Sequence, residues 1–348
     1  MGARAAGLLV ALVAWLVPAR FEAQPNQTGV FDFLEPTVHL DAADLTRLDE
    51  GQVLVRILPS QPGEIAVLAA VRTTADGPRL VKWVRDISDL KKSSYVTAIS
   101  RFSSPPQLED LSSLELSADD FEALQSCRPS SCDLKVTESE AAGLQSALNA
   151  ARPSDRVAAV RNAFRRLILN RVEDYLHTGL PNSARFVNDG RSISPRQLFS
   201  NVLANSVFLV RHAPALVNYL DAYPNAAGSD VESFTYWSVE RLAGRRSVIA
   251  THVAIIVGNG PGQPEALVAG KELFSLNYVS AALGITAIFP GRSAGVHYLV
   301  YLNRTHADIL DHWYSGLARF VIDRRISGEA GEVFRGLTTR LESGDPPR

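Results

Sequence analysis

The chain has 348 residues, of which 46% are hydrophobic and 21% are charged, and its 35 basic and 37 acidic side chains leave a formal net charge of -2. This composition is typical of a globular protein and excludes a collagen-like chain, a disordered chain and a polytopic membrane protein. The balanced charge also argues against nucleic-acid binding, which usually requires a basic excess or stripe.

The N-terminus predicts export. Arg4 precedes the apolar stretch Leu8–Val17, which has the length of a signal-peptide h-region and is too short to span a bilayer. We expect residues 1–19 to be removed by cleavage after Ala19, with Ala23 as the alternative site; an uncleaved N-terminal anchor is the other interpretation. The expected location is the bacterial periplasm or the medium, with no transmembrane span after cleavage.

The two cysteines fit this location. Cys127 and Cys132 are the only cysteines of the chain, and an even pair at short spacing in an oxidising compartment predicts a disulfide. Two free buried thiols or half of a metal site are the alternatives. Four residues separate the cysteines, whereas a thioredoxin-like redox motif has two.

The N-terminal third predicts strands and a short helix. Residues 20–45 are expected to be loose. The apolar, β-branched segments Gln52–Leu58 and Glu64–Thr73 predict two strands around a Pro- and Gly-containing turn. A short helix is expected to begin at Gly77, and Tyr95–Phe102 predicts another strand.

Residues 104–229 are predicted to be mostly helical. Ser117 and Thr137 each begin a capping-box pattern, in which side chains satisfy the free N–H groups of a helix start. An amphipathic stripe predicts a long helix after Asp155. Pro195 fits the first position of a further helix.

The C-terminal part predicts several antiparallel strands and a closing helix. The strand candidates, separated by Gly-rich turns, are Ser233–Glu240, Ser247–Val257, Ala266–Ala281 and Val296–Leu302. We expect the closing helix to be capped by the segment that begins at Thr305.

This order of elements resembles the START-like, or helix-grip, superfamily. The segment Glu64–Asp86, an apolar strand followed by a short helix that ends near an Asp, is similar to the opening of that fold. The resemblance implies an α+β fold in which a curved antiparallel sheet wraps a long C-terminal helix around an apolar cavity. It implies a discontinuous domain of residues 46–103 and 230–344, with 104–229 as a helical insertion. The chain also looks like a group of exported bacterial proteins of unknown function, and an unrelated α+β protein with a separate helical domain is the alternative.

Motifs of catalysis are absent from the sequence. It contains no Gly-x-Ser-x-Gly elbow, no His-Glu-x-x-His, no Walker loop and no calcium loop. The glycine-rich stretch 258–262 predicts a hairpin loop, because a strand follows it where a dinucleotide site needs a helix. We therefore predict no catalytic residue, no metal and no cofactor, and the sequence favours a non-catalytic protein.

Four residues are predicted to contact a ligand. Alternation puts His252 on an apolar face of its strand, where a histidine is unusual. Lys271 has a similar setting, while Glu272 and Tyr278 are expected on the opposite face with Phe274 and Leu276. If that face meets His252 across the sheet, a polar spot forms in an apolar chamber, as in many ligand pockets. Trp237, one of the aromatic residues clustered late in the chain, completes the predicted ligand-binding set. A buried hydrogen-bonded pair or an edge strand with solvated charges is the alternative, because the register cannot be read from sequence.

Three functions stay open at this point. The first is non-catalytic binding of a lipid or other hydrophobic small molecule in a cavity between the sheet and the C-terminal helix. The second is an envelope interaction or assembly protein that docks a partner through 104–229. The third is an enzyme with few motifs that acts on a hydrophobic substrate through Glu272, His252 or Lys271.

Overall fold

The computed structural model describes residues 29–129, 131–187, 190, 192–226, 231–242, 245–258, 260, 262–277, 279–311, 331–344 and 346. The expected signal peptide and its cleavage sites lie outside the described residues. No helix within the described residues combines the length and the apolar character needed to cross a bilayer.

The described chain is α+β and is organised around a large antiparallel sheet. The helices are α1 (Ala42–Asp49), α2 (Gly77–Arg85), α3 (Ile87–Lys91), α4 (Ala118–Ser126), α5 (Glu138–Ala150), α6 (Arg156–Thr178), α7 (Pro195–Ala204), α8 (Val207–His212) and α9 (Pro214–Ala222). The strands are β1 (Leu54–Leu58), β2 (Glu64–Thr73), β3 (Val96–Arg101), β4 (Ala184–Arg185), β5 (Ser192–Ile193), β6 (Glu232–Leu242), β7 (Arg245–Val257), β8 (Ala266–Ser275), β9 (Val279–Pro290) and β10 (His297–Ala307). Residues 331–342 form a final short helix. The predicted antiparallel sheet and helical stretch are confirmed.

The large sheet has eight strands in the order β1-β2-β10-β9-β8-β7-β6-β3, while β4 and β5 form a separate small hairpin. Strands β6 to β10 each pair with the next along the chain, as expected for turns that are short and Gly-rich. Strand β2 pairs with β10, and β3 pairs with β6. The segment that holds α2 and α3 therefore crosses from one side of the five-strand meander to the other.

Two strand predictions differ from the structure by more than two residues. The segment Ala266–Ala281 is not one strand: it contains β8, a turn and the start of β9. Thr305 was expected to cap a helix, but it lies within β10 and pairs with Ile65 and Ala282. Its β-branched side chain suits a strand, and its hydroxyl donates to Asn303 Oδ1 at 2.7 Å instead of accepting from a helix N–H.

The expected long C-terminal helix is not confirmed. After β10 a 3₁₀ turn covers Asp308–Asp311. The described helical residues 331–342 make a short helix, and the rest of the expected helix lies outside the described residues.

Helices α4 and α5 begin as the sequence predicts. Ser117 Oγ accepts the N–H of Asp120 at 3.1 Å, and the Asp120 carboxylate accepts the N–H of Ser117 at 3.0 Å. Thr137 and Glu140 make the same reciprocal pair. Each box satisfies donors that a helix start would otherwise leave unpaired.

The sheet lies between two layers of helix. We call the side that carries Trp237 and Ala254 the front face; it packs on α4–α9 in the main core, with Phe164 and Phe199 among the largest fully buried side chains. The segment expected to be loose contributes Phe33 and Leu34, which are buried in this core. Two aromatic contacts hold it there, because the Phe33 ring packs against those of Phe208 and Phe289 with 6.0 Å between centroids.

The other side of the sheet, the rear face, carries α2, α3 and the helix 331–342. Its apolar half packs against Leu80 of α2 and Phe334 of the final helix. Trp83 Nε1 donates to the Gly344 carbonyl at 2.8 Å, and Arg340 donates to the Leu90 carbonyl at the same distance. These bonds fix the C-terminal segment to α2 and α3.

Cys127 and Cys132 form the predicted disulfide. Their Cα atoms are 4.3 Å apart, and the bridge closes the loop that follows α4. Both residues belong to the main core, so the bridge anchors this loop against the helical layer. A disulfide is compatible with export.

Candidate functional site

Alternation along the strands collects polar residues on the rear face. Tyr236 and Glu240 of β6 point to this side, because Trp237 between them points to the front. Glu272 of β8 lies opposite Thr251, which lies opposite Tyr236, so it shares their face. Tyr301 belongs to the same side of β10.

Two glycines leave strands β8 and β9 without side chains in the middle of the rear face. Gly270 of β8 and Gly284 of β9 are register partners. The Tyr301 ring lies across Gly284, where a Cβ would come within 3.3 Å of the Tyr301 hydroxyl. A Cβ at Gly270 would meet only Thr251 Cγ2 at 3.5 Å and a carbonyl at 3.9 Å, which are ordinary contacts. A Cβ at Gly270 therefore fits on the rear face without a clash.

The rear face divides into a covered half and a partly accessible half. Apolar residues in the covered half, such as Ile288 and Leu299, are fully buried. By contrast, five residues in the other half are each half-buried. We call them the rear-face recess: Gly270, Glu272, Gly284, Tyr301 and Asn303.

An ion pair borders the rear-face recess. Lys91 Nζ lies 2.5 Å from Glu240 Oε1 and 3.1 Å from the Tyr236 hydroxyl, and Ser238 Oγ donates to the same carboxylate at 2.7 Å. Burial acts to lower the pKa of Lys91, but Glu240 and Tyr236 outweigh it and raise that pKa. Burial likewise opposes ionisation of Glu240, yet Lys91 and Ser238 leave the pKa of the carboxyl lowered. Both groups are charged at neutral pH.

Glu272 differs from Lys91 and Glu240 in its hydrogen bonding and its protonation. Its Oε1 atom is buried and has no hydrogen-bond partner within the described chain. Burial, reinforced by Glu240, raises the pKa of Glu272 to about 8 against the opposing effects of Lys135 and Lys91. The carboxyl is therefore mostly protonated at pH 7. A buried polar atom without a partner typically costs about 1–3 kcal/mol, which calls for a reason.

The polar groups converge from distant strands. Burial raises the pKa of Tyr301, and Lys91 and Glu240 also act on it. Strands β6 and β10 are four positions apart in the sheet, about 19 Å if the sheet were flat. Groups on these strands act on each other because their long side chains extend toward one another across the rear face.

His252 lies on the front face, away from Glu272. It pairs with Lys271 on β8, and its Nδ1 is 2.8 Å from the Tyr175 hydroxyl. The Tyr219 hydroxyl is 3.4 Å from Nε2, and the Tyr223 ring centroid is 4.4 Å away. Burial, reinforced by Lys271, lowers the pKa of His252 to about 3, so the ring is neutral.

Lys271 is buried in the same cluster. Its Nζ donates to the Leu220 carbonyl at 2.6 Å, and it lies 4.3 Å from the Phe199 ring centroid and 5.2 Å from that of Tyr175. Only 2% of the residue is exposed. Burial lowers its pKa to about 7 despite the opposing effect of Asp221. A packed aromatic cage with one carbonyl acceptor holds this amine inside the front core.

The predicted ligand-binding residues do not come together. Trp237 is fully buried on the front face, where its Nε1 donates to the Asp110 carbonyl at 2.9 Å. It shares that face with His252, whereas Glu272 faces the rear. Tyr278 lies outside the described residues. A ligand-binding role for each of the four stays a prediction, but one polar spot that joins His252 to Glu272 is not formed.

A bulge in β8 explains one wrong face assignment. Thr251 pairs with Glu272 and Ala250 pairs with Phe274, so Leu273 is an extra residue in this strand. The extra residue reverses the alternation beyond it. Phe274 was expected beside Glu272 but packs in the front core instead, with Leu276.

The sequence analysis missed Lys91, Glu240, Tyr301 and Asn303. A usable signal existed in β10, where Tyr301, Asn303 and Thr305 alternate with other residues and so predict one polar face. Asn303 Nδ2 donates to the Tyr301 hydroxyl at 3.2 Å along this face. No such signal exists in the sequence for Lys91, because this residue reaches the site from α3, in the crossover between β2 and β3.

A second cavity lies at the other end of the front layer. It has a volume of about 210 Å³ and is lined mostly by apolar residues, including Phe33, Leu216 and Leu267. His212 also lines it, and its buried Nε2 has no hydrogen-bond partner within the described chain. This cavity is distinct from the rear-face recess, because Leu267 belongs to the front core.

Within the described residues, no group of three or more His, Cys, Asp or Glu side chains could hold a metal ion. Comparison of the chain with known protein families, with curated proteins and with solved structures finds no significant match.

Proposed function

We propose that this chain is an exported, non-catalytic binding protein for a hydrophobic small molecule that carries a polar group. The ligand occupies the rear-face recess, with its apolar part over Gly270, Gly284 and the Tyr301 ring and its polar group at Glu272. A lipid or lipid-like molecule has this chemistry.

The single observation that carries the proposal is the state of Glu272. Its buried Oε1 has no hydrogen-bond partner among the described residues, although the residue keeps part of its surface accessible. Lys91 and Glu240 beside it retain 30% and 19% of their side-chain surface, yet burial is the largest single influence on the pKa of each. A side chain that is partly accessible and yet strongly desolvated is typical of a recess and not of an open surface. Apolar pockets with a few convergent polar groups typically bind small molecules.

The strand order supports a helix-grip architecture, which belongs to the same proposal. A helix-grip sheet has its first strand beside its last, and its second strand beside its third at the far edge. Here β2 lies beside β10, and β3 lies beside β6 after the α2–α3 crossover. In this reading β1 and the helical region 104–229 are additions, and the ligand side is the rear face, toward the C-terminal helix.

The test fills the recess and leaves the rest of the fold unchanged. We would titrate the mature protein with N-phenyl-1-naphthylamine, a neutral apolar probe, and follow its fluorescence. The wild type is expected to bind the probe saturably at one site. Gly270→Val adds bulk in the recess with only ordinary Cβ contacts, so it should abolish binding without loss of fold by circular dichroism.

Gly143→Val is the matched control. Gly143 is exposed on α5, and a Cβ there would have open space around it. This variant should bind the probe like the wild type. Absence of saturable binding to the wild type, or equal binding to wild type and Gly270→Val, would refute the proposal.

A further inference from the structure

The charged side chains around the rear-face recess are paired, whereas the titratable carboxyl of Glu272 is not. Lys91 is paired with Glu240 at 2.5 Å, and Lys135 is paired with Asp308 at the same distance. The nearby Tyr301 hydroxyl is neutral at pH 7, because its pKa is raised above that of an ordinary phenol. The Glu272 carboxyl, mostly protonated at pH 7, is the acidic group of the recess that forms no ion pair with a described cation.

Geometry makes this carboxyl available to a ligand. Within the described residues its Oε1 has no hydrogen-bond partner, part of the residue is accessible, and Gly270 of the same strand places no side chain on the same face. The cations that act on Glu272, Lys135 and Lys91, are held by their own carboxylates, so neither is free to move to it.

We propose that the ligand of the rear-face recess is cationic and presents one ammonium group to the Glu272 carboxylate. This inference rests on the proposed binding function and names the chemical class of its ligand: an amphiphile with an apolar body and a protonated amine. An ammonium supplies both a cationic partner for the ionised carboxylate and the hydrogen-bond donors that Oε1 lacks among the described residues.

Binding of such a ligand moves a proton. Glu272 has a pKa of about 8 in the free protein, so it carries about 0.9 proton at pH 7. An ammonium pairs with the ionised carboxylate, so that proton leaves to the buffer while the amine keeps its own. A neutral ligand that accepts a hydrogen bond from the protonated carboxyl releases none.

The experiment compares three ten-carbon probes below their aggregation concentrations: decylamine, decanol and decanoate. Isothermal titration calorimetry at pH 7 in two buffers of different ionisation enthalpy gives the affinity and the proton count. We expect decylamine to bind about tenfold or more tightly than decanol, as hydrogen bonds to charged groups typically allow, and to release close to one proton. Decanoate should bind most weakly. At pH 9 the release should disappear while the preference for decylamine remains.

Glu272→Gln keeps the shape of the side chain and removes its charge. In this variant decylamine and decanol should bind within about twofold of each other, without proton release. Glu140→Gln is the matched control, because Glu140 is already held by Arg171 at 2.6 Å and lies outside the recess. It should keep the wild-type preference.

The outcomes separate this inference from the proposed function. Equal binding of decylamine and decanol by the wild type, or binding of decylamine without proton release, would overturn the cationic ligand and leave a neutral one in the same recess. Failure of all three probes and of N-phenyl-1-naphthylamine would overturn both. The wild-type measurements at pH 7 and 9 decide the matter even if Glu272→Gln does not fold.

Discussion

Replacing Glu272 by Gln should change how the stability of the protein depends on pH. The pKa of Glu272 is 4.5 in an ordinary environment and about 8 in the folded protein. The folded state thus binds this proton more tightly than the unfolded state does, so the free energy of unfolding falls as the pH rises from about 4.5 to 8. A shift of that size is worth about 5 kcal/mol at most, and water in the recess reduces it.

Gln does not ionise, so the free energy of unfolding of the variant does not fall in this way as the pH rises. We expect Glu272→Gln and the wild type to have similar stability at pH 4.5, and the variant to be more stable by about 2–5 kcal/mol at pH 8.5. Urea denaturation followed by circular dichroism at a series of pH values measures the difference.

Glu140→Gln is the control for this experiment. Burial opposes ionisation of Glu140, but Arg171 outweighs it and lowers the pKa of that carboxyl, so its replacement should destabilise the protein at pH 8.5. If the stability curves of wild type and Glu272→Gln run parallel from pH 4.5 to 8.5, Glu272 is not a buried, unpaired acid and the reasoning fails.

Three further predictions concern the rest of the fold. Because the pKa of Lys271 is lowered from 10.5 to about 7, the unfolded state holds the extra proton between these values, and wild-type stability gains from this group as the pH rises. The free energy of unfolding of Lys271→Met, relative to that of the wild type, should therefore be highest at pH 6 and should fall by roughly 3 kcal/mol by pH 10 in denaturation experiments. A difference that does not change with pH would contradict a buried amine. The His252 ring, with a pKa of about 3, should show no NMR titration from pH 5 to 8, and an observed midpoint near 6.5 would show that it is solvated. Replacing Cys127 and Cys132 together by Ser should lower the free energy of unfolding by about 2 kcal/mol, the value for so short a loop, and an unchanged stability would mean that the bridge does not constrain the chain.

Local features of the fold followed from the sequence because their causes are local. The capping boxes at Ser117 and Thr137 need only residues three apart, and the disulfide joins cysteines in one loop. Strand β2 matched its predicted bounds because the turn residues before it mark where the alternation starts. The strand end at Leu302 was misjudged because polar residues on the rear face of β10 look like the start of a loop.

The site needed information that a single sequence does not contain. The bulge at Leu273 depends on how β8 pairs with β7, and it decided which face holds Phe274. The contact between Lys91 and Glu240 joins residues 149 positions apart. Sequence reasoning selected Glu272 and His252 as candidate ligand contacts, but it could not place them on opposite faces.

The most direct test of the central claim is to locate a bound amphiphile by NMR. We would titrate ¹⁵N-labelled mature protein with decylamine and with decanol and map the amide shifts. A ligand in the rear-face recess predicts saturable shifts centred on Gly270, Glu272, Gly284 and Asn303, and their loss in Gly270→Val. Shifts centred on the cavity of Phe33, His212 and Leu267, or no saturable shifts with either compound, would contradict it.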